Sequence, residues 1–219
     1  MRPGEPLILW DWTFDHLPDI WQRLIQHLEL TGIAVGIGFV FAFVLSLVIR
    51  QVPLLYSPVT WVAGVLYSIP SLALFALLIP FTGLSIVTAE IGLVSYTLLI
   101  LVRNIVSGIR SVAPDVREAA IGMGYSQRQM LWRIELPLAL AIIIAGLRVA
   151  VVTTVGLVTV AGVIGQGGLG ALIFQGIQQF FATPLVIGSV LSIATAIVLD
   201  GILVLIERQL TPWTRTTAA

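Results

Sequence analysis

Lysine and cysteine are both missing from these 219 residues, and charge of either sign is scarce. All eleven cationic side chains are Arg. No phosphate-binding loop of the G-x-x-x-x-G-K-[ST] type exists here, because that loop needs its Lys to reach the phosphates. Any ATP hydrolysis that drives this protein therefore belongs to another chain. The lack of Cys removes disulfides, thiol nucleophiles and thiolate-bound metals. His16 and His27 are the two histidines; neither has partners at metal-ligand spacing, and both read as solvated or interfacial. Without an H-E-x-x-H motif or a visible nucleophile–base pair, the chain is expected to catalyse no covalent reaction and to hold no cofactor or metal. The formal net charge is zero, so no basic field invites nucleic acid.

What is abundant is apolar surface. Apolar residues make up 58% of the chain and charged residues 10%, with a mean hydropathy of +1.05. They come in blocks of about 18 or more, the length needed to cross a bilayer as a helix. The expectation is an all-α integral membrane protein with about five spans, at 30–49, 57–79, 85–106, 138–163 and 185–206. Pro70 and Pro80 interrupt or end the second span, which is tolerated where neighbouring helices or water satisfy the freed backbone groups.

Residues 1–29 read as an external segment ending in an amphipathic helix. Ile20, Trp21, Leu24, Ile25 and Leu28 share one face, opposite Gln22, Arg23, Gln26 and Glu29. Such a helix either lies among the headgroups or packs on the rest of the protein. Pro3, Gly4 and Glu5 stand where a signal peptide would be basic, so cleavage is not expected. Residues 207–219 read as a tail beyond the 30–206 permeation domain.

Arginine placement orients the spans. Arg50 follows span one, Arg103, Arg110, Arg117, Arg128 and Arg133 lie in or beside the segment after span three, and Arg208 and Arg215 follow span five. The connections after spans two and four contain none, and the N-terminal segment is predominantly acidic. Positive-inside logic places the N-terminus outside and the C-terminus in the cytoplasm. Residues 107–137 are then the large cytoplasmic loop.

Within that loop Ala119, Ala120, Gly122 and Gly124 strip a short helix of bulk, so that another protein can approach its backbone closely. Pro114 and Asp115 suit its first turn, and Asp115 and Glu118 favour its positive end. Gly124 can end it in a left-handed conformation, Ser126 with Gln129 reads as a capping box opening a second short helix, and Pro137 marks entry to span four.

Glu118-Ala119-Ala120, Gly124 and Ile134-Glu135-Leu136-Pro137 have the spacing E-A-A-x3-G-x9-I-x-L-P. This resembles the EAA signature of importer permeases in the ATP-binding cassette superfamily, with a type I architecture. The resemblance implies that Glu118, Ala119, Ala120, Gly124, Ile134, Leu136 and Pro137 belong to a coupling loop seated on a separate ATPase, which binds the ATP and Mg. It also implies a second permease subunit, identical or paralogous, and an extracytoplasmic substrate-binding protein, all at a bacterial cytoplasmic membrane. Ser68-Ile69-Pro70-Ser71-Leu72-Ala73-Leu74, Val102-Arg103-Asn104, Ala145-Gly146-Leu147-Arg148 and Gly165-Gln166-Gly167-Gly168-Leu169-Gly170 are similar to osmoprotectant permeases for glycine betaine, choline or carnitine. Two departures stand out: Gln166 occupies a place where a small residue is more usual, and the chain stops at Ala219 where some members continue into a binding domain. Methionine or other amino-acid importer permeases share the EAA loop and the Gly-Gly-Leu-Gly element, and are the alternative within transport. A non-transporting membrane scaffold is the alternative from another class, and the EAA loop argues against it.

Charges inside spans are costly and usually functional or paired. Glu90, near the outer end of span three, is either an outer-vestibule residue or a headgroup-boundary residue. Arg148 in span four reads as a structural ion-pair or inter-subunit residue, with Asp200 in span five a candidate partner. Trp61, Tyr67, Phe75, Phe81 and Tyr96 are the aromatic rings available to a quaternary ammonium, though packing or belt roles are commoner. Gly165, Gly167, Gly168 and Gly170 form a candidate gate loop or a flexible outer turn.

Overall fold

The computed structural model describes residues 6–212 and is helical throughout, with no strand among them. After a short α1 (Trp10–Asp15) the chain runs through α2 (Leu17–Gln51), α3 (Tyr56–Ser68), α4 (Ser71–Thr82) and α5 (Ile86–Arg110). The loop helices are α6 (Pro114–Gly122) and α7 (Gln127–Met130), followed by α8 (Leu136–Ala161), α9 (Leu169–Gln178) and α10 (Ala182–Leu210). Helices α2, α5 and α10, and the stretch Gln127–Ile164 that contains α8, are long and apolar enough to span a membrane. The pair α3 and α4 passes the same test only when taken together, and counted as one broken span it brings the number to five.

Helix α5 is the hub, packed on α2, α3, α4 and α8. In lipid there is no hydrophobic gain from hiding one apolar helix behind another, so close van der Waals packing must hold helices together. Small residues supply it. A side chain at Gly146 of α8 would collide with Asn104 of α5, one at Gly108 would press on Ala139, and one at Gly38 of α2 would meet Thr97. One apolar cluster joins the C-terminal halves of α2 and α5 to the N-terminal half of α8 around Ile49, Leu101, Ile105 and Ile143. A second joins their opposite halves and α4 around Leu30, Phe75, Leu93 and Val158. Gly32 and Gly36, in contrast, meet nothing within 4 Å and face an open apolar groove beside Leu199 and Ile202 of α10.

Several boundaries differ from the expected ones. Span one does not start at residue 30: α2 is one 35-residue helix from Leu17, about 52 Å long and therefore longer than the hydrocarbon core. The amphipathic face read in residues 20–28 is divided: Ile20 is buried with Leu169 and Leu172 of α9 and Leu24 lies against them, whereas Trp21, Ile25 and Leu28 remain exposed. His27 is buried rather than solvated, pressed against the backbone at Gly168. Exposed His16 stacks on Trp12 with ring centroids 4.1 Å apart.

Span two is broken, with α3 and α4 meeting at 97°. Pro70 forces the preceding Ile69 into extended backbone (φ −68°, ψ 129°), and the Tyr96 hydroxyl donates to the freed Ile69 carbonyl. The expected tail boundary at 207 falls inside α10, which continues to Leu210. Residues 1–5 and 213–219 of the two terminal segments lie outside the described residues.

The glycine contacts generate a paired prediction. Gly146→Ala, which drives a methyl into Asn104, should lower stability by about 1–3 kcal/mol. Gly156→Ala, on the same helix with open space beside it, should be neutral or stabilise by about 0.5–1 kcal/mol. Thermal unfolding of the two variants in one detergent measures the difference; equal midpoints would contradict the close α5–α8 contact.

Candidate functional site

The loop after α5 builds a knob outside the spans. Pro114 occupies the first turn of α6 with Asp115 beside it. Gly124 sits at φ 82°, in the left-handed region. Its amide donates to the Ile121 carbonyl at 2.9 Å and that of Tyr125 donates to Ala120 at 3.1 Å. This pair of bonds is the C-terminal closure that glycine favours. Ser126 and Gln129 then form a reciprocal capping box at the start of α7.

Side chains of Glu118, Ala119, Ile121 and Met123 are exposed, with Met123 69% accessible, while Ala120 is buried beneath them. An exposed apolar and small-residue surface on a short helix is a candidate contact surface for another protein.

The second part of the loop corrects the expected helix–turn–helix. Helix α7 does not end before span four. It passes through a π-helical segment, Leu131–Glu135, directly into α8. Pro137 is the reason: it has no amide to donate, and its ring would crowd the carbonyl four residues back in a regular α-helix. A wider turn just before it relieves both problems. Ile134, Leu136 and Pro137 therefore lie along one helical stretch, all partly buried.

Glu135 is the residue that composition and spacing did not single out as a site. Its side chain is only 5% exposed and lies between two Arg residues from different elements. Arg50, at the end of α2, donates from Nε to Glu135 Oε2 at 2.6 Å. Arg117 of α6 places Nε 3.3 Å from Oε1, and its Nη2 donates to the Ile109 carbonyl at 2.6 Å. Arg50 Nη2 also donates to Gln127 Oε1 at 3.3 Å. One carboxylate thus ties the knob to the ends of α2 and α5. The signal in the sequence was a lone acid inside an otherwise apolar I-E-L-P entry to a span.

Arg148 and Asp200 do meet. Arg148 Nε and Nη2 donate to the two Asp200 oxygens at 2.8 and 3.0 Å, and Nη1 donates to Glu207 at 3.3 Å. This fork between α8 and α10 serves helix pairing. Glu90 has no hydrogen-bond partner among the described residues, although both carboxylate oxygens are shielded from solvent.

The aromatic candidates do not converge on a cage. Phe75 is fully buried, Trp61 and Phe81 are exposed, and Tyr67 and Tyr96 meet edge to face at 5.8 Å.

The glycine-rich stretch forms a packed corner. Gly165 (φ 78°) and Gly168 (φ 46°) turn the chain, Gly167 lies against the Gly162 backbone and Gly170 against Thr159. A side chain at Gly168 would strike the His27 backbone. This corner connects α8 to α9, a buried-faced helix that the span pattern had not separated from its surroundings.

Known proteins share this architecture. Residues 34–212 match the family described as "Binding-protein-dependent transport system inner membrane component". Osmoprotectant import permease protein OsmW of Salmonella typhimurium (strain LT2) is 38% identical over 192 residues, covering 85% of this chain and 89% of that one. Choline transport system permease protein OpuBB of Bacillus subtilis (strain 168) is 32% identical, covering 89% of each. A chain of the inward-facing MetNI methionine ABC transporter superposes with a TM-score of 0.80, over 90% of this chain and 98% of that one. At 21% identity it speaks for the fold.

The Glu135 bridge makes a direct prediction. Glu135→Gln leaves two Arg facing each other without a counter-charge and should loosen the knob by about 2 kcal/mol, less than a fully buried pair because both Arg remain partly hydrated. Limited trypsin digestion reads this as faster cleavage after Arg128 and Arg133. Cleavage at the wild-type rate would mean that the bridge does not hold the loop.

Proposed function

Since this chain belongs to the family of binding-protein-dependent transport system inner membrane components, we propose that it forms the membrane path of an ATP-binding cassette importer for a small quaternary amine: glycine betaine, choline or carnitine. The observation that carries the reading is the exposed knob of α6, Gly124 and α7, clamped by Glu135 to the ends of two spans. The substrate class rests on the similarity to osmoprotectant and choline permeases across most of the chain. ATP and Mg belong to a separate ATPase, because this chain has no Lys with which to build the phosphate loop.

In this reading the N-terminus lies outside and the C-terminus in the cytoplasm. The surface of Glu118, Ala119 and Gly124 seats in the ATPase with Ala120 packed beneath it, and Ile134, Leu136 and Pro137 carry its motion into α8. Two permease subunits enclose the path, and an extracytoplasmic binding protein delivers the solute. Closure of the ATPase pair on ATP moves both knobs, and the bundles rock from inward-open to outward-open. The corner of Gly165, Gly167, Gly168 and Gly170 serves as the outer gate element. Glu90 is a charge of the outer vestibule or of the headgroup boundary, and Arg148 with Asp200 holds α10 during the movement. A permanently cationic solute is repelled by Arg, which suits a structural role for Arg148.

The test is ATP-dependent uptake of labelled glycine betaine, choline and carnitine into proteoliposomes containing the subunit, its ATPase, its binding protein and any permease paralogue. Wild-type protein should carry at least one of them. Gly124→Trp, which puts a bulky residue on a left-handed turn at the docking surface, should reduce uptake to background. Transport of methionine with no quaternary amine carried would overturn the substrate. Unchanged uptake by the Gly124→Trp protein would overturn the coupling role.

A further inference from the structure

Behind the knob lies a cleft of about 900 Å³, bounded by the ends of α2 and α5, by α6 and by α7. Four Arg line it, Arg50, Arg110, Arg117 and Arg128, against a single acid, Glu135. Even with Glu135 shared between Arg50 and Arg117, three positive charges stand without a carboxylate in the lining. Arg110 rests on the ring of Tyr56 at 4.6 Å, which leaves its charge intact. Arg128 has no hydrogen-bond or ion-pair partner among the described residues.

The remaining walls are mixed. Ile49, Val106, Ile109 and Leu131 supply apolar surface, and Ser46, Gln51 and Gln127 supply polar groups.

Of the exposed side chains Glu118, Ala119, Ile121 and Met123, only Ile121 also lines the cleft. At 100° per residue, Arg117 and Ile121 share the face of α6 that lines the cleft, whereas Asp115, Ala119 and Gly122 point to the opposite side. An ATPase covering the small-residue face therefore leaves the arginine cleft between the knob and the membrane.

We propose that this cleft is a binding site for a phosphate group, supplied by the headgroup of an anionic phospholipid at the cytoplasmic surface. The chemistry fits at three points. Guanidinium groups pair with phosphate oxygens through planar forks. The site lies at the ends of two spans, where headgroups reside and where basic pockets between helices hold them. Its apolar wall accepts the first methylenes of the acyl chains, which a fully polar ligand would not use. A lipid seated there bridges α2, α5 and α6 and so stiffens the attachment of the knob. The inference rests on the orientation proposed above.

The test uses the full-length chain assembled with its ATPase in phosphatidylcholine nanodiscs, with fluorescent phosphatidylglycerol as the probe. The variant is Arg110→Gln with Arg128→Gln, which spares the Glu135 bridge. The control is Arg103→Gln with Arg133→Gln, the same loss of charge at exposed Arg residues outside the cleft. Phosphatidylglycerol should bind the cleft variant about tenfold more weakly than wild type, and the control as wild type does.

Glycerol 1-phosphate and inorganic phosphate, added separately, distinguish the sources. Failure to displace the lipid supports the headgroup, and displacement at comparable concentrations assigns the same cleft to soluble phosphate esters and overturns the lipid source. Equal weakening in both variants, or no retained lipid in the wild type, would overturn the site. Binding is read without transport, so a failure of quaternary-amine uptake leaves this result unaffected.

Discussion

Close backbone contact between α5 and α8 is the constraint on which the other helices depend. Lipid offers no hydrophobic reward for pairing apolar helices, so the pair must gain its stability from intimate packing. Gly146 under Asn104 and Gly108 over Ala139 provide it at two levels of the bundle. Helices α2, α3 and α4 then fasten to α5, while α9 and α10 gather on the α8 side. The same logic explains why Arg148 reaches across to Asp200 and Glu207. Helix α10 is scarcely buried within the subunit, and a charge-assisted fork holds it where packing alone is thin.

Much of this was legible from local chemistry. Five apolar blocks gave the spans, because bilayer thickness sets a length that composition reveals directly. Gly124 as a left-handed stop and Ser126 with Gln129 as a capping box followed from residue type, since those motifs are decided within a few neighbours. The features that were not legible are decided by distant neighbours. Pro70 announced an interruption, but the sharp angle between α3 and α4 also depends on Tyr96, which takes up the carbonyl freed at Ile69, 27 residues before it. The continuity of α2 through residue 29 depends on α9, whose Leu169 and Leu172 cover Ile20.

The candidate site divides in the same way. The EAA residues were readable as a set because spacing defines them. Glu135 sat in plain view within the motif, yet nothing local says that Arg50, 85 residues earlier, ends α2 beside it. His27 likewise looked like a surface residue until the glycine corner closed over it. Glycine content signals close approach or freedom without saying which. Gly38 and Gly146 meet another helix, whereas Gly32 and Gly36 meet none.

The π-turn before Pro137 has a mechanical consequence. By letting α7 run into α8 without a break, it makes residues Gln127–Ile164 one helical stretch of 38 residues, about 57 Å from end to end. Gly146, pressed against Asn104, lies almost at its midpoint. The stretch has the proportions of a balanced lever on a fulcrum, with the knob on one arm and the glycine corner on the other. A tilt of about 10° about that contact displaces each end by about 5 Å in opposite directions. Push at the knob end thus becomes pull at the glycine-corner end, with no need for the helix itself to bend or unwind.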